Sequence, residues 1–400
     1  MAELAESAVV RRASTRDATR AHVPAAGHPL TQLTELPAQQ WRALSERVIE
    51  PNGYYLPDWE LAVNATARGR VGASALGAWS ASSELIGLMP VVSMWQAYKI
   101  PLPALVSADP YGSLSTPPLD RDQAEDAAVR LMQQARRAGA HALILRDMSL
   151  DGAAMKSFTD ALQRDGLSLV VLQSHVRACL DATRDADELL LEALGPKKLK
   201  ELRRQRNRLA DHGAVAFDVA REPGAVMAAL ETFLKLEASG WKGQRGTALG
   251  QHAGDAAFIR RAAAALAEQG QCEIATLRAG DTPVAAAIVL RHQDRAFYFK
   301  LGVDERFSKS SPGVQLTLDL TRHFCADPSI RVVDSTANAG HPMIDPIWRG
   351  RLAIGDVLIP LRRRDPVIAL IQAALGLRKA MREPARHLVQ RIRKHREKSS

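Results

Sequence analysis

A strand, a serine-rich turn and a helix start follow one another in residues 297–316 (FYFKLGVDERFSKSSPGVQL). Either Ser310 or Ser311 can be the N-cap of this helix, with Pro312 at its first position. The first turn of a helix leaves backbone N–H groups without intrahelical partners, and the helix dipole adds partial positive charge there. The segment therefore predicts a site for a phosphate or pyrophosphate, with an ordinary capped helix as the alternative.

Widespread catalytic and nucleotide-binding motifs are absent from the chain. It has no Gly-x-Ser-x-Gly elbow, no Walker loop, no His-Glu-x-x-His and no Gly-x-Gly-x-x-Gly after a strand. Residues 240–250 carry four glycines, but their spacing fits no phosphate fingerprint and favours a flexible loop. These motifs therefore identify no functional residues in this chain, and other residue patterns have to be considered.

Composition describes a globular chain whose net charge lies at one end. A length of 400 residues predicts two domains. A composition of 46% hydrophobic and 24% charged residues argues against a mainly disordered chain. Residues 362–400 contain twelve Lys and Arg and three Asp and Glu. The net charge of this segment equals that of the whole chain, +9. The rest of the chain is neutral, so the high isoelectric point is weak evidence for a nucleic-acid partner.

The cysteines and the apolar runs indicate the cellular compartment in which the protein is expected. Cys179, Cys272 and Cys325 have no paired spacing, which argues against a disulfide scaffold or a cysteine zinc site and predicts no metal. No apolar run approaches the roughly 20 residues that cross a bilayer, and no signal peptide opens the chain. We expect a soluble, cytoplasmic protein.

Hydrophobic periodicity predicts mixed α and β structure. The expected strands are 73–79, 85–94, 142–148, 168–179, 215–220, 273–277, 284–291, 296–303, 331–335 and 354–359. The expected helices are 37–48, 121–138, 152–165, 185–211, 224–239, 255–268 and about 312–323. Residues 101–118, with five prolines, are expected to be a loop. Residues 111–148 and 307–335 share an order of elements, which suggests an internal duplication.

Several motifs resemble those of CelD-type acyltransferases, GNAT-superfamily proteins associated with cellulose biosynthesis. They are 237–249 (EASGWKGQRGTAL), 282–287 (TPVAAA), 300–307 (KLGVDERF), 311–313 (SPG) and 341–345 (HPMID), followed by Trp348. The basic run 197–208 is also typical of that group, and the resemblance covers roughly residues 190–360. The first half is similar, more weakly, to the first lobe of FemAB-type transferases.

The resemblance implies an α+β fold of two tandem GNAT-like lobes, each a mostly antiparallel mixed sheet flanked by helices. It places an N-terminal lobe at 29–184 and a C-terminal acyltransferase lobe at 185–361, and composition predicts a disordered leader (1–28) and a basic tail (362–400). The implied activity transfers an acetyl or other acyl group from acyl-CoA to an amine or hydroxyl, such as that of a saccharide precursor of the cell envelope. A FemAB-like transferase that uses aminoacyl-tRNA and a non-catalytic scaffold of polysaccharide synthesis are the alternatives.

For the donor, the resemblance implies acetyl-CoA as co-substrate, with its pyrophosphate against the turn. The residues implied in this contact are Val303, Ser310, Ser311, Gly313, Val314 and Gln315. The turn departs from the family pattern, which usually has several glycines, because Gly313 stands alone and Pro312 lacks an amide donor. This departure keeps aminoacyl-tRNA open as the donor.

Acyl transfer needs a base for the attacking group and a proton donor for the departing thiolate. Asp304 and Glu305 are the candidate bases, and since neighbours on a strand face opposite ways, we expect one of them to face the site. Glu237 is a third candidate. Tyr298 is the candidate proton donor, and the same alternation predicts that Lys300 shares its strand face.

Acceptor contacts are expected from five residues: Trp241, Lys242, Asp334, His341 and Trp348. The alternative for the tryptophans is core packing, and for the histidine an exposed loop position. The basic run 197–208 is expected either to contact an anionic substrate or a CoA phosphate, or to be a solvated face. No DNA-binding motif accompanies it, so no specific nucleic acid is expected.

The tail combines an apolar stretch, 366–377, with a basic one, 378–398. This amphipathic pattern predicts a peripheral contact with the inner face of a membrane. Pro384 predicts two short helices rather than one. The alternative is a helix packed on the body of the protein, with a disordered basic end.

Overall fold

The computed structural model describes residues 30–397, with 241–242 and 382–397 described by their backbone only. The leader predicted for 1–28 lies outside the described residues. Strands β1 to β12 are Thr31–Gln32, Ser74–Trp79, Leu85–Ser93, Ala104–Ser107, Ala142–Ser149, Val170–Asp181, Val215–Ala220, Cys272–Ala279, Thr282–His292, Arg295–Val303, Val332–Asp334 and Gly350–Pro360. Helices α1 to α11 are Ala38–Ser45, Pro57–Thr66, Met94–Tyr98, Ala124–Arg137, Ala153–Arg164, Ala186–Ala210, Pro223–Ser239, Trp241–Gln244, Ala253–Glu268, Pro312–Cys325 and Pro366–Glu397.

The two halves of the chain build the same arrangement. The first half, β1 to β5, runs as a strand, two helices, three strands, a helix and a strand, and the second half, β7 to β11, repeats this order apart from the short α3 and α8. In each half the last two strands, β4 with β5 and β10 with β11, are parallel, and the other neighbours are antiparallel. The repeated order supports an internal duplication.

Strands β6 and β12 are exchanged between the halves. β6 follows the first half in the chain but pairs with β11 of the second, and β12 follows the second half but pairs with β5 of the first. The two exchanged strands also pair with each other, so the twelve strands form one continuous sheet. The sequence predicts a sheet in each lobe; the structure joins them, because each half receives its closing strand from the other.

Two local predictions differ from the structure. Residues 101–118 are expected to be a loop throughout, but they include β4, four buried residues that are too few to show a period. The tail is expected to break at Pro384, but 366–397 is one helix. Elsewhere the predicted strands and helices match the structure closely. For β7 the predicted and the observed bounds are the same, Val215–Ala220.

Helices cover both faces of the second half of the sheet. Helices α7 and α9 pack on one face, where Phe233, Phe258 and Phe297 are buried together. Helices α6 and α10 pack on the other, around Leu202, Leu316 and other apolar side chains. Strand β10 therefore has α7 on one side and α10 on the other, and the direction of each of its side chains decides which helix it meets.

The first ten residues of α11 are packed on the body. Ile371 is fully buried, and Val367, Ile368 and Leu375 lie against it beside β5, β12 and α3. The packed-helix alternative for the tail therefore holds for this part of α11. Among the helices of residues 30–397, none combines the length and the hydropathy needed to cross a membrane.

Candidate functional site

A cavity of about 820 Å³ lies where β10 and β11 separate. The two strands are paired only at residues 295–297 and 332–334, while β10 continues to Val303. The end of β10, the following turn and the start of α10 form one wall, together with the chain after β11. Residues of the first half form the opposite wall, so the cavity lies between the two halves.

The turn after β10 presents a helix N-terminus to this cavity. A short 3₁₀ helix, Glu305–Ser310, precedes α10, and Ser311 is the N-cap, with a left-handed backbone (φ 50°, ψ 56°) and no side-chain capping bond. The first helical hydrogen bond runs from Gln315 N to Ser311 O at 3.0 Å. The amides of Gly313 and Val314 therefore precede the hydrogen-bonded part of the helix, and both residues line the cavity.

Gly313 lies close to the end of β10. A Cβ atom at this position would be 3.0 Å from Cδ2 of Leu301 and 3.2 Å from Cγ1 of Val303. A larger residue would have to push these side chains aside or extend towards the cavity. The lack of a side chain thus keeps the backbone of the turn accessible.

Four of the six residues implied in donor binding line the cavity: Val303, Ser311, Gly313 and Val314. Ser310 and Gln315 are not among the lining residues, and both are buried. Gln315 Nε2 donates to Leu202 O at 2.8 Å, which fixes α10 against α6. These two side chains support the turn and do not face the cavity.

Asp304 and Glu305 both line the cavity, but their environments differ. β10 ends at Val303, so the alternation expected of a strand does not apply to them. Asp304 is buried, and both its carboxylate oxygens accept hydrogen bonds from the Arg306 side chain. Those bonds lower the pKa of Asp304. Its carboxylate is committed to the turn, whereas Glu305 is exposed, with its Oε1 beside Gly240.

A β-bulge separates Tyr298 from Lys300. The register of β10 against β9 shifts between these two residues, so their alternation is interrupted, while both residues line the cavity. The Tyr298 hydroxyl lies 3.4 Å from Thr317 Oγ1 of α10, in the buried interior, and burial raises its pKa. Lys300 instead turns to the α7 side, with Nζ 3.5 Å from Glu237 Oε1. The alternation predicted from sequence is wrong here because a bulge adds one residue to the strand.

Glu237 lies beneath the cavity and does not line it. Its side chain is fully buried, and Oε2 accepts a hydrogen bond from Leu249 N at 2.8 Å. Together with the Lys300 contact, this bond ties the end of α7 to the segment after α8 and to β10. Glu237 thus has the contacts of a residue that holds the site together.

Asp334 forms a buried ion pair with Arg177, which comes from the exchanged strand β6. Arg177 is completely buried and also donates to Ser113 O, in the wall contributed by the first half. Asp334 accepts a second bond from Thr336 N at 2.8 Å. Ser113 and Thr336 line the cavity, whereas Asp334 and Arg177 support its two walls from behind.

The other expected acceptor residues are dispersed. His341 lines the cavity, and its Nδ1 accepts from Met343 N at 3.3 Å. Trp348 is buried in the core, with Nε1 donating to Thr321 Oγ1 at 2.9 Å, so it packs the interior instead of facing the cavity. The side chains of Trp241 and Lys242 lie outside the described part of the chain.

Sequence reasoning did not find the wall that the first half contributes. This wall is formed by Tyr54, Arg70, Asp109, Tyr111, Gly112 and Ser113. The Arg70 guanidinium lies 4.2 Å above the Tyr111 ring, and its Nε is 3.1 Å from Asp109 Oδ1, without hydrogen-bond alignment. Tyr111 has a φ of 53°, which is uncommon for a residue other than glycine. The polar loop 101–118 was the one available signal, since loops often carry binding residues.

The corresponding helix of the first half begins with acidic residues. α4 follows β4 as α10 follows β10, but its first turn contains Glu125 and Asp126. Carboxylates there satisfy the helix dipole and repel a phosphate. The intervening loop reaches across to the cavity of the second half instead, so the turn after β10 faces residues of the first half.

Residues 196–341 match the family model described as an acetyltransferase (GNAT) domain. The matched segment contains strands β7 to β11 and the start of α10. Its turn after β10 is the segment expected to face an acyl donor, and a GNAT fold implies both an acyl donor and an acceptor. No curated protein sequence matches the chain.

Solved structures with the same fold cover most of the chain. FemX is 12% identical with a TM-score of 0.55, over 84% of this chain and 98% of FemX. The C-terminal domain (DUF2156) of a putative lysylphosphatidylglycerol synthetase from Agrobacterium fabrum is 14% identical with a TM-score of 0.50, over 84% and 95% of the two chains. At these identities the similarity establishes the fold alone, and the predicted α+β fold of tandem GNAT-like lobes is confirmed.

Proposed function

We propose that the protein is a CelD-type acyltransferase that binds acyl-CoA with the pyrophosphate against the turn 311–314. The observation that carries this proposal is the free start of α10 at the cavity, where the amides of Gly313 and Val314 accompany the positive end of the helix dipole. Beyond residue 297, β10 separates from β11 and its last residues line the cavity, so the thioester arm has the end of this strand to lie along. Acetyl-CoA is the donor that this arrangement fits.

The thioester supplies an activated acyl group, and the chain's own residues supply position and proton transfer. Glu305 is the proposed base, because it is an exposed carboxylate that lines the cavity at the end of β10. Lys300, which also lines the cavity, places positive charge beside the end of β10. Such charge stabilises the negative charge that develops during transfer.

The first-half wall is the proposed acceptor side. Tyr54, Tyr111 and Phe299 offer aromatic rings, and Asp109 and Arg70 offer polar groups beside them. A ring with hydroxyl or amino groups matches this combination, because its apolar faces stack on aromatic rings while its polar edge forms hydrogen bonds. We therefore propose a saccharide acceptor, such as a precursor of an envelope polysaccharide.

The experiment that tests the donor site is acetyl-CoA binding by calorimetry to the wild type and to Gly313→Asp. A carboxylate at Gly313 adds like charge at the helix start and fills the space next to Leu301 and Val303. We expect the affinity for acetyl-CoA to fall by about tenfold or more, as loss of one or two charge-assisted hydrogen bonds predicts. The melting temperature reports whether the variant is folded.

Gly224→Asp is the matched control. α7 begins with Pro223 and Gly224 as α10 begins with Pro312 and Gly313, but a Cβ atom at Gly224 would meet no neighbouring atom within 4 Å, and Gly224 does not line the cavity. Its affinity should equal that of the wild type. Equal affinity in a folded Gly313→Asp variant would place the donor elsewhere. A wild type that gives no heat with acetyl-CoA would favour aminoacyl-tRNA as donor, or a scaffold role.

A further inference from the structure

One surface of α11 remains apolar after the helix has packed on the body. The inner face, with Ile371 and Leu375, is turned to the sheet. Leu370, Leu377 and Met381 follow at spacings of seven and four, which places them on another face of the same helix. They are 58%, 62% and 64% exposed. Packing on the body thus accounts for only part of the apolar surface of α11.

The neighbouring helix α3 extends this apolar surface. Tyr98 of α3 packs in the same cluster as Ile371, and the Arg378 guanidinium lies 4.5 Å from its ring centre. Trp95, one turn before Tyr98 on α3, is 55% exposed. Lys99 Nζ lies 5.7 Å from the Trp95 ring. Trp95 is thus an exposed aromatic side chain, with a cation beside it, on a helix that contacts α11 through Tyr98.

The segment that contains α11 is strongly basic. The chain from residue 362 onward carries the whole net charge of +9, while the preceding residues are neutral. Arg378 and Lys379 belong to the described part of this segment, and both follow Leu377 directly. Exposed apolar side chains, a tryptophan and adjacent cations are the combination that binds the interface of an anionic bilayer.

We propose that Trp95 of α3 and the outer face of α11 (Leu370, Leu377 and Met381) form a docking surface for an anionic lipid bilayer. The apolar side chains enter the interface between headgroups and acyl chains, and the cations contact the anionic headgroups. Because the first turns of α11 are fixed to the sheet by Ile371, the surface holds the whole protein at the bilayer instead of tethering it through a loose tail. This proposal is independent of the acyltransferase activity.

Vesicle co-sedimentation of the full chain tests the docking surface. The wild type should bind vesicles of phosphatidylcholine with about one third phosphatidylglycerol, bind pure phosphatidylcholine weakly, and lose affinity as salt rises. Leu377→Glu should reduce the partition coefficient by about tenfold or more, because it removes an apolar contact and adds a repelled charge. Leu191→Glu, at another leucine that is 52% exposed, is the matched control and should bind as the wild type does.

Fluorescence provides a second readout that places Trp95 at the lipid. On addition of anionic vesicles the emission should shift to the blue, and Trp95→Phe should abolish most of that shift while the protein still sediments. Equal partitioning of Leu377→Glu and wild type would overturn the proposal, as would a wild type that does not sediment. The competing occupant of the surface is a second copy of the chain, and light scattering tests for it. A wild-type dimer that Leu377→Glu dissociates, together with no vesicle binding, would assign the surface to that second copy.

Discussion

Replacement of Arg177 by methionine is expected to lower the free energy of unfolding by about 3–5 kcal/mol. Arg177 is fully buried, and its ion pair with Asp334 connects β6 to β11 where the exchanged strand enters the second half. The substitution leaves a buried carboxylate without its cation, and it also removes the bond to Ser113 O. Chemical denaturation measures the loss. Activity should fall as well, because Arg177 holds both walls of the cavity.

Arg260→Met is the control for this prediction. Arg260 and Glu231 form a bidentate ion pair in which both side chains are 45% exposed, so its loss should cost no more than about 1 kcal/mol. The double variant Arg177→Met with Asp334→Leu removes both buried charges and should recover much of the stability. If Arg177→Met destabilised the protein no more than Arg260→Met does, the pair would not be the connection that we infer.

Glu305→Gln is expected to reduce turnover by about 10²- to 10⁴-fold while acetyl-CoA still binds with wild-type affinity. The amide keeps the size of the side chain but cannot accept the proton of the attacking amine or hydroxyl. Turnover is measured as CoA release, with the acceptor that gives the highest wild-type rate in a screen of amino sugars, polysaccharide fragments and small amines. Mass spectrometry of the products identifies the acylated group.

The matched control for Glu305→Gln is Glu222→Gln. Glu222 is also exposed and also lies at a helix start, but it does not line the cavity. This control should leave turnover unchanged. Near-normal turnover in Glu305→Gln would exclude Glu305 as the base and move the role to His341, another titratable side chain that lines the cavity.

The sequence was sufficient for features that depend on neighbours in the chain. The hairpin of β8 and β9 follows from two strand-like stretches on either side of Gly280, whose positive φ of 58° suits a tight turn. The strand, turn and helix start at 297–316 follow from the serines and from Pro312 in the same way. Local conformation is set by local sterics and hydrogen bonds, so composition and spacing are enough to predict it.

The tertiary structure decided which of these residues act together. The exchange of β6 and β12 depends on pairing between strands more than 150 residues apart in the chain, and no local pattern encodes that. The same is true of the first-half wall at Arg70 and Asp109, and of the bulge that turns Lys300 away from Tyr298. Whether a strand contains a bulge or is exchanged between the halves depends on how both faces of the sheet pack against helices from distant parts of the chain. The sequence alone therefore predicted the turn after β10 that lines the cavity, and the fold supplied the opposite wall and separated the residues that support the cavity from those that line it.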